Sequence, residues 1–184
     1  FPVYLTTVTI CLALTILAWK RVPQADIITK LYLKQHDFIN LVKVTRPGSS
    51  FFMEKLENHP LSFLKAAPNA MVNSMFKPFI REINNPLMLI NSIENLFLFF
   101  FGIFCVYFKK PWEQVNKNLF FFCLSLLVFM YLIIGWTTPV SGAIVRYKMP
   151  GWPFFTLLFL LLADAEKIYS LPYFRKLNDK IKKL

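Results

Sequence analysis

Apolar residues gather in four runs, at 1–19, 87–108, 119–137 and 152–163, with cations collected in the segments between them. A bilayer core of about 30 Å needs about 20 apolar residues in a helix. The first three runs meet that length. The fourth is too short alone, and extending it back to Ile144 supplies the missing turns. The pattern therefore predicts transmembrane helices over 1–19, 87–108, 119–137 and 144–165, joined by a loop at 109–118 and a turn at 138–143. A basic tail, 166–184, closes the chain.

The segment 20–86 is too hydrophobic for a flexible linker. In LSFLKAAPNAMVNSMFKPFI, residues Leu64, Pro68, Met71, Met75 and Phe79 follow helical spacing, with Ser62, Lys65, Asn69, Asn73 and Lys77 on the other side. Such a helix either lies in the membrane interface or packs on the protein's own spans, and the pattern fits both. An earlier stretch, ADIITKLYLKQHDFINLVKV, predicts a second amphipathic helix that ends before the breaker cluster Arg46-Pro47-Gly48. The fold class expected is all-α: a polytopic membrane protein with about four transmembrane helices and interfacial amphipathic helices in a long loop.

Composition agrees, with 56% hydrophobic residues, 21 Phe and a net charge of +11. The cations flank apolar runs, which fits membrane topology and anionic lipid and argues against nucleic acid as a partner. Residues 109–118 and the tail share a side if there are four spans, and together they hold nine cations, so the positive-inside tendency places the tail in the cytoplasm and the long loop outside. The chain opens on Phe1 without a basic flank, which reads as a helix continuing from missing N-terminal sequence of the same chain. Cys11, Cys105 and Cys123 fall inside apolar runs without metal-ligand spacing and read as packing residues.

Against this background Arg146 and Lys148 stand out, since ionisable residues at a membrane edge are costly and usually functional. Asn91, Glu94 and Asn95 give the second span one polar face, and Glu94 lies about 10 Å inside it at 1.5 Å per residue. Glu94 is expected to pair with Arg146 or Lys148, because a lone carboxylate at that depth would protonate. Thr137, Thr138, Ser141 and Trp136 close the third span on the same side. Arg and Lys among hydroxyls suit the phosphate of a lipid head group, with Arg146 and Lys148 as the binding candidates. The same residues equally suit interfacial anchoring plus one structural ion pair. His36 and His59 lack any metal-binding spacing, so no metal site is expected, and no cofactor motif is present. Asp37, Glu54 and Glu57 are potential general acids or bases, but their spacing selects none of them, and no catalytic residue is assigned.

Three segments, KPFIRE (77–82), SIENLFLF (92–99) and TTPVSGAIVRYKMPGWPFF (137–155), resemble the C-terminal part of polytopic bacterial inner-membrane proteins of surface-polysaccharide assembly. The resemblance is to GT-C type glycosyltransferases, similar to protein mannosyltransferases and lipid A aminoarabinose transferases, and spans roughly residues 60–165. It implies an inner-membrane enzyme that takes a sugar from a polyprenyl-phosphate carrier on the extracytoplasmic side. The acidic catalytic residue of that family lies in an early loop that this chain does not show. The expected role of the present residues is thus to bind membrane lipid, a polyprenyl-phosphate-linked sugar above all. A non-catalytic membrane subunit or scaffold of an envelope complex is the alternative, and a transporter fragment a third.

Overall fold

The computed structural model describes residues 4–10, 13, 26–79 and 86–171. Every extended regular element among them is a helix: α1 (Ile27–Thr45), α2 (Pro60–Phe76), α3 (Pro86–Tyr107), α4 (Lys117–Thr137), α5 (Ser141–Lys148), α6 (Trp152–Leu162) and α7 (Ala165–Tyr169). Most of the first expected span lies outside the described residues, as do Cys11, residues 80–82 of KPFIRE and the tail from 172 onward. The described part of that span, 4–10, is helical, and Tyr4 donates a hydrogen bond to the Phe121 carbonyl near the start of α4.

Among the described residues, two helices are long and apolar enough to cross a membrane, within α3 (Met88–Tyr107) and over α4 (Lys117–Thr137). Most of their surface is not covered by protein, and α3 exposes Ile93, Phe97, Phe100 and Phe104. The fourth expected span, 144–165, is not one helix. It begins earlier, at Ser141, and is divided by a 3-10 turn, Met149–Gly151, between α5 and α6. Pro150 and Pro153 explain the break, since neither offers an N–H to an α-helical ladder.

The helix α4 is the hub. Asn116 caps its start, accepting from the Leu119 N–H. Cys123, Leu127, Tyr131 and Ile134 recur at helical spacing along its buried face and pack with Ile144 of α5 and Leu158 of α6. Buried, reduced Cys105 and Cys123 act as packing residues, as their apolar setting implied. Helices α3 and α6 run in the same direction: Asn95 meets Lys148 near one end, and at the other Asp164 N–H donates to Phe108 O while Lys110 N–H donates to Leu162 O. Gly102 of α3 lets the Phe159 ring of α6 approach, with only 3.0 Å between that ring and the place of an added Cβ.

The helix α2 lies against α4 rather than apart from it. Its buried stripe is Phe63, Ala66, Ala70 and Ser74, whereas Leu64, expected on the apolar face, is 70% exposed. Small side chains decide this. Gly135 of α4 sits directly against the Ala70 backbone, so closely that a methyl group on Gly135 would overlap the Ala70 carbonyl. Two backbones can approach that far only where both faces are small, so the bulky stripe is turned aside; Met71 and Met75 reach the core from its flank. The helix also stops at Phe76, which leaves Phe79 outside it and Lys77 at its C-terminal cap.

Helix α1 ends as the sequence implies, with Arg46 in the left-handed region at φ 44° before Pro47. From there a strap, residues 49–56, crosses the end of α4. Its ties are Ser141 N–H to Ser49 O, Phe51 N–H to Pro139 O, and the buried Gln35 side chain of α1, which donates to Glu54 O and accepts from Leu56 N–H.

Candidate functional site: a buried ammonium and an open cleft

Two polar assemblies form at the end of α4 that carries Thr137. The first is interior. Lys148 is only 2% exposed, and its Nζ donates to Asn95 Oδ1 at 2.6 Å and to Lys77 O at 3.0 Å. Asn95 completes the triangle, its Nδ2 donating to the same Lys77 carbonyl at 3.3 Å. Ser92, one turn earlier on α3, donates to Pro78 O at 3.0 Å. The side chain of Lys77 is buried too, its ammonium 4.0 Å from the centre of the Phe51 ring and 5.1 Å from that of Phe79. A buried charge is tolerated only when acceptors replace its water, and here an amide oxygen and a carbonyl do so.

This arrangement assigns the sequence candidates differently. Arg146 lies on the outward side of α5 and is exposed, so it alone of the two cations is open to a head group. Lys148 faces inward and ties α5 to α3 and to the segment after α2. The expected partner Glu94 acts on the Lys148 ammonium only through its field, and among the described residues neither Arg146 nor Lys148 forms an ion pair with it. The direct contact passes instead to its neighbour Asn95, whose direction from the helix axis matches the cap of α2. Asn91 is half-buried on the same helix. Thr137 and Thr138 are buried: Thr137 Oγ1 donates back to Ile133 O, and the two hydroxyls lie 3.4 Å apart. They close the helix end rather than facing a ligand. His36 bonds with Asn40, and His59 caps α2 by accepting from Leu61 N–H; among the described residues no cluster of ligating side chains could hold a metal.

The second assembly is an open cleft of about 460 Å³ between the strap, α2 and the end of α4, lined by Phe52, Glu54, Asn69, Asn73, Gly135 and Trp136 among others. Trp136 is fixed there because its indole N–H donates to Phe63 O at 3.1 Å and its ring meets that of Phe63 edge-on. Asn69 and Asn73, four residues apart on α2, turn to the cleft on either side of Ala70, and neither side-chain amide takes a partner among the described residues. Glu54 separates the cleft from a second cavity of about 320 Å³, which Glu57, His59 and Lys65 also line.

Sequence reasoning placed Asn69 and Asn73 only on the polar side of a helix, named Glu54 as one of three potential general acids or bases without selecting it, and passed over Gln35 and Ser92. The one signal that pointed to the cleft was the pair Asn69 and Asn73, polar at a spacing of four beside Ala66 and Ala70. It carries meaning only once those alanines are known to touch α4. No protein-family model, curated protein or solved structure matches this chain.

Proposed function

We propose that this chain is the membrane portion of an envelope glycoconjugate-assembly protein that engages a polyprenyl-phosphate-linked sugar at the extracytoplasmic membrane edge, in the manner of a GT-C type glycosyltransferase. The observation that carries this reading is the open polar cleft at the end of α4, a helix of membrane length, with the exposed cation Arg146 on the helix that follows directly. In the reading, α3, α4 and the α5–α6 pair each cross a bacterial inner membrane, and the tail lies in the cytoplasm. The cleft then opens where a lipid-borne head group leaves the bilayer. Arg146 offers a planar fork of donors to the carrier phosphate. Lys148 has no part in that contact.

Photo-crosslinking with a polyprenyl-phosphate probe in lipid nanodiscs tests it. Labelling of the wild type that falls in Arg146→Ala is expected, whereas equal labelling of the two overturns the phosphate contact. A scaffold role is favoured by a different observation, that Lys148, Asn95, Thr137 and Thr138 are all engaged within the protein. A scaffold would leave the probe unbound in both proteins.

A further inference from the structure

We infer that the cleft lined by Asn69, Asn73, Glu54 and Trp136 is a binding site for a neutral, polyhydroxylated ring, a glycosyl unit. The inference deepens the function proposed above and rests on it for the source of the ligand, but its chemistry comes from the cleft alone. Its volume of about 460 Å³ lies within the range of about 300–1,000 Å³ usual for small-molecule sites. Each of the two amides presents both donors and an acceptor, and neither is engaged by a described residue. That is the complement of neighbouring hydroxyls, which donate and accept at once.

The remaining lining narrows the class. Trp136 and Phe52 supply apolar faces suited to the C–H side of a sugar ring, and Trp136 is held rigid by its bond to Phe63 O, so little order is lost on binding. The exposed Glu54 carboxylate accepts from hydroxyls but repels phosphate. An anionic ligand would therefore avoid this cleft, and a purely apolar one would leave the amides unmatched. Gln35 contributes from behind: its side chain pins both Glu54 O and Leu56 N–H, which fixes the strap that forms the far wall. Gly135 sits at the junction of α2 and α4, and its lack of a side chain keeps both the helix contact and the cleft open. The neighbouring cavity beyond Glu54 gives room for a second unit.

The test uses the full chain in nanodiscs with diazirine-bearing alkyl glycosides (glucoside, mannoside and N-acetylglucosaminide) and, as comparator, the same alkyl chain with an oligo(ethylene glycol) head. At least one glycoside is expected to label peptides within 52–56 and 66–73. Labelling should be competed by the matching methyl glycoside and reduced about tenfold in Asn69→Leu/Asn73→Leu, as expected for the loss of two hydrogen bonds. Asn73→Ala alone, read beside its thermal midpoint, serves if the double variant does not fold. Arg146→Ala should leave glycoside labelling unchanged, which separates this site from the phosphate contact: loss of polyprenyl-phosphate labelling with glycoside labelling intact marks two distinct subsites. Labelling no stronger than that of the glycol comparator, or unaffected by either asparagine variant, overturns the inference.

Discussion

Lys148 shows how differently one residue reads in a sequence and in a fold. Its isolation in an apolar setting marked it as consequential, and it is, but as an internal tie rather than an open cation. Its ammonium replaces water with Asn95 Oδ1 and the Lys77 carbonyl, so removing it leaves Asn95 Oδ1 without a donor and the Lys77 carbonyl with only the longer bond from Asn95 Nδ2. Lys148→Met should lower stability in detergent by about 1–3 kcal/mol, the cost of one unsatisfied buried polar group. In a double-mutant cycle with Asn95→Leu the double variant should lose less than the sum of the two single losses, because both variants break the same bond. Additive losses would show that the triangle contributes nothing. Nothing in the spacing of 91, 94 and 95 could single out Asn95, since a helical face tells which residues share a side but not which of them meets a lysine more than fifty positions away.

At the scale of elements, membrane-length helices were legible because length and hydropathy act locally: α3 and α4 begin and end within two residues of the runs that predicted them. The break between α5 and α6 was not expected, since hydropathy ran one helix through 144–165, although Pro150 and Pro153 explain it once seen. The face on which α2 docks was not. Hydropathy favours the bulky stripe through Leu64, but close packing of two helices rewards small residues, and Gly135 against Ala70 sets the approach. Gly135→Val should force the helices apart and cost about 1–3 kcal/mol as overpacking, read as a lower thermal midpoint together with faster proteolysis of the strap. An unchanged midpoint would mean that α2 can shift freely along α4.

For the whole molecule, the parallel course of α3 and α6 and the return of α4 put residues 112–116 at one end and the cleft at the other. With the membrane reading proposed above, single cysteines introduced at Glu113 and at Lys65 should react with an impermeant maleimide from opposite faces, Lys65→Cys in intact spheroplasts and Glu113→Cys only after permeabilisation. Labelling of both from one face would refute the topology. Length, hydropathy and charge by themselves determined that the chain is helical and where the two membrane-length helices among the described residues run, because each of these follows from chemistry within a few neighbouring residues. Only the tertiary structure decided that Lys148 turns inward while Arg146 turns out, that α2 docks through alanines, and that two asparagines with no side-chain partner among the described residues line a cleft with a tryptophan. Those outcomes depend on which surfaces come together across tens of residues, and periodicity along a single helix does not encode its partner.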